Sequence, residues 1–409
     1  MDFTDTPDEA EFRAEVRAWL RANAEPRAPG MVFKSRYGAD DLVDQSKAWQ
    51  IKKHKAGFSG ITMPTAYGGR GGSPMEQVIY NQEETEFVTP RCVYEIGLGM
   101  CIPTMLTYAT EDQKQRYAPP ALKGAEIWCQ LFSEPSAGSD VAGLRTRSTR
   151  DGDDWVINGQ KIWTSGAHFC DYGIIVTRSD PTAPKHKGLT FFFLDMKSPG
   201  IEVKRIKQIS GTSNFNEVFF TDVRVPDSQR LGKVGEGWRV SITTLMNERL
   251  AVGQVPAPDF DEIFELAKSL ELEDGAAIKD AQVRAKLATW YVQAQGLKLT
   301  KFRTISALSQ GETPGPESSI TKVVSAKKRQ EIAHFGVDLM DAGGLIFDET
   351  TQPMQAMFQE AALSSAGSRI AGGTDEILRN IIAERVLGLP QDIRVDKDVA
   401  FTDVPTGKL

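Results

Sequence analysis

The spacing of apolar residues changes twice along this chain, and those two changes constrain its fold more than any other feature. Up to about residue 125, apolar positions recur with helical period between breaks such as Tyr67-Gly68-Gly69-Arg70-Gly71-Gly72. From about 126 to 235 they fall in short β-rich runs instead: Trp155-Val156-Ile157, 173–177, 189–194, 201–206 and 216–221, with turn signals such as Asp151-Gly152-Asp153 between them. After Gly237 the helical period returns and persists to Leu387, interrupted at Thr313-Pro314-Gly315-Pro316 and at Gly343-Gly344. This order predicts an α+β protein with a helical N-terminal domain (1–125), a middle antiparallel β-barrel or sandwich (126–235), a C-terminal helical bundle (236–390) and a surface-hugging or loose tail (391–409).

Local signals agree with that layout. Thr6, Pro7 and Glu9 form a helix start, with a hydroxyl cap, a proline in the first turn and a reciprocal carboxylate. Ile377, Leu378, Ile381 and Ile382 form one helical stripe that ends before Gly388 and Pro390. The Gly-rich turn at 67–72 lacks the Gly-Lys-Ser/Thr that would make it a phosphate loop.

Composition narrows the function classes. The 409 residues carry a net charge of −7, which gives no support to a nucleic-acid partner. Cys92, Cys101, Cys129 and Cys170 form no CxxC pair, and His54, His168, His186 and His334 are scattered, so neither a metal site nor a disulfide framework is expected. The acidic N-terminus lacks the layout of a signal peptide, and no apolar run approaches the ~20 residues of a membrane helix. A cytoplasmic location, without nucleic-acid or membrane partners, is the expectation.

Two segments carry the chemistry. CQLFSEPSAGSD (129–140) is an apolar lead-in followed by small, hydroxylated, turn-forming residues, with Gly138 allowing close backbone approach and Ser133, Ser136 and Ser139 offering hydroxyls. NGQKIWTSGA (158–167) sets the flat face of Trp163 beside Thr164 and Ser165. Together they suit a planar heteroaromatic cofactor with polar edges. The alternative is a pair of strand-to-turn transitions with a core tryptophan.

At this wording the two segments resemble the flavin-binding signatures of the acyl-CoA dehydrogenase family. The resemblance extends to FNEVFFTDVRVP (215–226) and GGTDEILRNIIAERVLGLP (372–390), and so to nearly the whole chain. It implies an FAD cofactor, an acyl-CoA substrate and transfer of electrons to an electron-transfer flavoprotein. It places Phe132 and Ser133 at the pyrimidine edge of the flavin, Trp163 against its rings and Ser165 near N5. Ser139 falls where the family contacts cofactor or substrate phosphate. Thr374 opens the segment that the family contributes to a neighbouring half-site, though a plain helix cap accounts for it equally well. Ser136 stands where the family usually has Gly.

The family reaction removes a proton from Cα and a hydride from Cβ of an acyl thioester, so it needs a carboxylate base. Many members carry that Glu directly before the Gly-Thr of the last motif, where this chain has Gly372. A second branch places it in an E-R pair on the helix after the β-domain, and this chain has Glu248-Arg249 there. On a helical wheel Ile242, Leu245, Met246 and Leu250 define the apolar stripe; Arg249 falls within it and Glu248 at its margin. The resemblance thus assigns the base to Glu248, a substrate contact to Arg249 as to Ser139, and a backbone donor to the thioester oxygen at Gly372. The alternative is a structural Glu–Arg pair, or Arg249 snorkelling to solvent.

The family's usual Arg-Phe contacts to the neighbouring subunit's FAD are missing from 267–282, and Met340 stands at a family Gln. A homo-oligomer, a dimer of dimers, is the expectation; a heterotetramer with a paralogue is the alternative. A flavin oxidase or monooxygenase on the same fold, or a subunit of a heteromeric dehydrogenase, are the competing functions.

Overall fold

The computed structural model describes residues 5–28, 41–90, 93–251, 257–309, 315–316, 318–396 and 398–405; the side chains of 248–251, 308–309 and 318 also fall outside the description. Contacts divide the chain into two compact units. One comprises Met1–Phe33, Ser73–Thr89 and Gly253–Gln391; the other comprises Lys34–Gly72, Pro90–Val252 and Asp392–Leu409. The N-terminal third is therefore shared between a helical unit and a sheet unit.

The sheet unit is built on eight strands: β1 (Trp128–Leu131), β2 (Arg147–Asp151), β3 (Asp154–Ser165), β4 (Tyr172–Arg178), β5 (Leu189–Asp195), β6 (Ile201–Ile206), β7 (Phe215–Pro226) and β8 (Arg230–Leu231). They pair in the order β8-β5-β4-β2-β3-β7-β6, and β1 pairs with β4. The β-rich runs of the sequence all fall in these strands. The expected antiparallel pairing holds with two exceptions, since β1 and β2 each run parallel to β4. In both cases the intervening chain includes β3, a strand of the same sheet, so the parallel pairing is a matter of topology that periodicity alone does not report.

In β5, Phe191 and Phe193 enter a core with Trp128, Phe132, Ile174 and Val176, while Phe192 turns to the other face against Trp155. Burial of both faces explains why this strand reads as a continuous apolar run. Strand β6 lies at the end of the order and carries Glu202, Lys204 and Arg205, charges that discourage further pairing.

The helix Gly237–Ala251 packs against the Ile102–Tyr108 helix and β5, with a Thr104–Thr244 hydroxyl contact of 2.9 Å and a Tyr108–Thr243 contact of 2.8 Å. Its buried line is Val240, Ser241 and Thr244, whereas Ile242 and Met246 are exposed. Of the apolar stripe drawn on the wheel, Leu245 packs against the core while Ile242 and Met246 turn away from it, and small hydroxylated residues make the closest packing because they let the helices approach. Among the described residues the tail docks rather than hanging loose. Phe401 N–H donates to Ala183 O at 3.0 Å, and the Arg178 guanidinium lies 3.8 Å from the Phe401 ring centre.

In the helical unit, Thr6 caps the helix Pro7–Asn23 and Glu9 accepts a hydrogen bond from the Thr6 N–H, the reciprocal box read from the sequence. Arg13 and Arg17 from this helix meet Glu83 of the helix Pro74–Glu84 at 3.1 and 2.8 Å. Helices Phe260–Ser269, Ala281–Ser309, Ser318–Leu339 and Met357–Ser368 bury Ile263, Leu266, Leu287, Trp290, Ile332 and Phe358 among them. A short 3-10 stretch, Asp341–Leu345, marks the predicted break at Gly343-Gly344. The last helix, Asp375–Ile381, passes into a wider π turn at Ile382–Val386 and stops at Gly388, whose φ is 68°. Among the described residues no helix is long and apolar enough to cross a membrane.

Candidate active site

In the sheet unit the two signature segments lie side by side. Strand β3 alternates: Trp155, Ile157 and Lys161 point inward. Continued at period two, that alternation would bury Trp163. Instead the β3–β7 register shifts between Lys161 and Thr164, and Trp163 adopts a left-handed φ of 60°. One extra residue in a strand moves the succeeding side chains to the opposite face. Thr164 is therefore buried, and Trp163 is 55% exposed, with Phe215 meeting it edge-on. This excludes the core-tryptophan alternative. A bulky residue held at positive φ stores strain, of order 1–3 kcal/mol, and such strain concentrates at functional sites.

The irregular turn is held from behind. Asn216 donates to Thr164 O at 2.8 Å, which leaves its Oδ1 to accept from His168 Nδ1 at 3.0 Å. Burial, followed by the nearby Arg205 charge, holds the His168 imidazole below its usual range, so it is neutral at pH 7. Gly166 N–H closes the turn on Asn214 O at 2.9 Å.

The first segment is joined to the second by a buried ion pair. Lys161 has no exposed surface; its Nζ lies 2.8 Å from Glu134 Oε1 and 3.0 Å from the Phe132 carbonyl oxygen, to which it donates. Glu134 also accepts from the N–H groups of Arg145 (2.6 Å) and Thr146 (2.9 Å). Burial pushes the Glu134 carboxyl up, but the Lys161 charge and these hydrogen bonds outweigh it and hold the carboxyl below its usual range. Burial drives Lys161 down, partly offset by Glu134. Ile162 N–H then donates to Ser133 O at 2.9 Å, so the strand that carries Trp163 is bonded directly to the segment that carries Ser133.

The positions of the expected contacts are now specific. Phe132 buries its ring edge-on against Phe191, and its carbonyl already accepts from Lys161. Ser133 is half-buried, and neither its N–H nor its hydroxyl bonds to a described residue. Thr164 Oγ1 is buried without a partner. Ser165 is half-buried, while Ser136 and Ser139 are exposed. A Cβ added at Gly138 would meet no protein atom within 4 Å, so the turn faces open space there. Next to Ser139, Asp140 pairs with Lys185 at 3.0 Å, and Lys185 pairs also with Asp396 of the tail. An exposed strained indole and an unpartnered backbone donor fit a planar ligand with polar edges such as FAD.

The remaining site residues lie elsewhere. Glu248 and Arg249 belong to the helix Gly237–Ala251, and their side chains lie outside the described residues. Gly372 and Thr374 belong to the helical unit. Gly372 and Gly373 have φ of 65° and 94°, which favours glycine at both positions on backbone grounds alone. Lys322 donates to Gly373 O, and Arg369 clamps Asp375 at 2.7 Å. The Thr374 hydroxyl accepts from Ile377 N–H at 3.2 Å as a helix cap.

Lys161, Glu134, Asn216 and His168 had no place in the sequence reading of the site. One signal was available for Lys161: the inward alternation of Trp155 and Ile157 lands on it, and a buried Lys needs a carboxylate.

Comparison with known proteins extends this geometry. Residues 6–125, 129–223 and 235–387 match the family models for the N-terminal, middle and C-terminal domains of acyl-CoA dehydrogenases. Acyl-CoA dehydrogenase FadE34 of Mycobacterium tuberculosis is 39% identical over 84% of this chain, and the chain spans about half (46%) of that protein's length. Acyl-CoA dehydrogenase IpdE1 of the same organism is 33% identical, with 95% of this chain and 99% of the relative covered. Among solved structures, the Tcur3481-Tcur3483 steroid ACAD has a TM-score of 0.80 at 27% identity, covering 96% of this chain and all (100%) of the other. The ChsE4-ChsE5 complex from Mycobacterium tuberculosis has a TM-score of 0.75 at 25% identity, with coverage of 96% and 100%.

Proposed function

The chain belongs to the acyl-CoA dehydrogenase family, and on that premise we propose that it desaturates a bulky acyl-CoA at Cα–Cβ with Glu248 as the base. It is an oxidoreductase of a family that binds FAD. The observation that carries the reading is the outward turn of Trp163 beside the unpartnered Ser133 N–H, a prepared face for a flat, polar-edged cofactor. Bound FAD supplies the hydride acceptor.

The rest of the chemistry falls to the chain. Trp163 and Ser165 hold the cofactor's rings, Ser133 its polar edge, and Ser139 a phosphate. Thr374 is assigned to the cofactor of a neighbouring subunit. Glu248 takes the Cα proton. A base for so weak an acid works best with its own affinity for protons raised by burial. Arg249 contacts the substrate, and the Gly372 N–H donates to the thioester oxygen as negative charge develops there.

The substrate class is taken from the solved neighbour described as a steroid ACAD: a ring-bearing acyl-CoA rather than a short straight chain. Electrons pass to an electron-transfer flavoprotein, and the enzyme works in the cytoplasm. The ChsE4-ChsE5 complex, together with the missing Arg-Phe contacts in 267–282, favours a heterotetramer with a paralogue over the homo-oligomer.

The test is anaerobic mixing of the FAD-loaded chain with acyl-CoA thioesters ranging from butyryl to steroid side chains. Bleaching of the flavin absorbance by the ring-bearing members, abolished in Glu248→Gln, is expected. A panel that leaves the absorbance unchanged, or full bleaching in the variant, overturns the reading. Flavin per protomer, measured for the chain purified alone, separates the two assemblies: near one for a homo-oligomer, well below one where a paralogue is required.

A further inference from the structure

Removing Lys and Glu from water costs several kcal/mol per ion, so a pair placed where the strand alternation calls for an apolar residue needs a reason. Its geometry supplies one. The Lys161 ammonium donates to the Phe132 carbonyl at 3.0 Å, and the other end of that same peptide group is the Ser133 N–H, which has no partner among the described residues. A cation at the carbonyl draws electrons through the amide and strengthens its N–H as a donor. Glu134, 2.8 Å from the ammonium, tempers the effect and is itself fixed by the Arg145 and Thr146 N–H groups. Arg178, buried nearby, is a further positive charge acting on the pair.

We propose that Lys161 and Glu134 act as opposed positioning residues that set how strongly the Ser133 N–H binds an electron-rich ligand edge, and through it the reduction potential of the bound flavin. This rests on the reading of the Ser133–Trp163 face as the flavin face. Oxidised flavin takes two electrons from a reductant such as dithionite and one proton from water to become the anionic reduced form. The added negative charge spreads over the pyrimidine edge, so a stronger donor there favours the reduced form.

The test is potentiometric titration of the FAD-loaded full chain with dithionite against a reference dye, for wild type, Lys161→Met and Glu134→Gln. Lys161→Met weakens the donor, and a tenfold loss of preference for reduced flavin appears as a fall of about 30 mV for a two-electron couple. Glu134→Gln, titrated at a pH at which Lys161 keeps its proton without its partner, leaves the Lys161 charge untempered and moves the potential upward by a comparable amount. A purely structural pair would shift both variants in one direction or neither. Shifts of the same sign, or potentials equal to wild type in folded, flavin-loaded variants, overturn the proposal. Should Lys161→Met not fold, Glu134→Gln alone decides, and a potential at or below wild type is the contrary result. A wild-type chain that binds no FAD would instead sink the functional reading itself.

Discussion

The segments at 129–140 and 158–165 and the loop at 371–374 were assigned to one chemistry, yet they are held in different ways. The first two depend on long-range contacts: a buried Lys161–Glu134 pair, a strand bulge at 161–164 and the Asn216–His168 brace behind it. The loop rests chiefly on local contacts, namely two left-handed glycines, a hydroxyl cap and the Arg369–Asp375 clamp within six residues, with one long-range bond from Lys322 to Gly373 O. A face that must present an aromatic ring and an N–H at fixed separation needs the wider support. A short loop is specified largely by its own dihedrals.

Glu248→Gln has the largest expected effect: reduction by acyl-CoA slows by about 10³-fold or more, since general-base catalysis contributes ~10²–10⁴. Flavin content stays unchanged, and stopped-flow absorbance separates the two readouts. Trp163→Ala comes next, with FAD retention weakened about tenfold, the equivalent of ~1.4 kcal/mol of lost ring contact. Equilibrium dialysis measures it, and unaltered retention would remove Trp163 from the site.

Gly372→Ala tests the locally held loop. A Cβ at left-handed φ costs about 1–2 kcal/mol, read as a lower denaturation midpoint. The signature segments of the sheet unit should keep their flavin affinity. The long-range support has its own signature in acid. Because the Glu134 carboxyl is held below its ordinary 4.5, its contribution is complete above that pH and is lost as pH falls through the folded value. Glu134→Gln should therefore take up roughly one proton fewer on acid unfolding, seen as a shallower loss of near-ultraviolet circular dichroism below pH 4.5. The smallest effect belongs to Phe401→Ala, about 0.5–1 kcal/mol for the lost Arg178 cation–π contact.

Much of this was legible in the sequence because it is local. Thr6 and Glu9 are three residues apart and form the capping box they spell. The β-rich runs become strands because their alternation and turn residues act within a few positions. Gly388 ends its helix as its residue type demands. What escaped is non-local. Glu134 and Lys161 stand 27 residues apart and pair only once β1 has been laid against β4. The parallel pairings depend on that same topology. The outward turn of Trp163 depends on one extra residue in β3 relative to β7, which shows in the pairing and not in the apolar pattern. The wheel on the Gly237–Ala251 helix chose Ile242 and Met246 by hydrophobicity, whereas packing chose Val240, Ser241 and Thr244 for closeness of approach.

On the proposed function, residues 129–140 and 158–165 form one prepared cofactor face. Backbone hydrogen exchange of the chain with and without FAD measures it directly. Slower exchange concentrated in peptides covering Ser133 and 162–165 is expected. Protection confined to other parts of the chain, with those peptides unchanged, would contradict it.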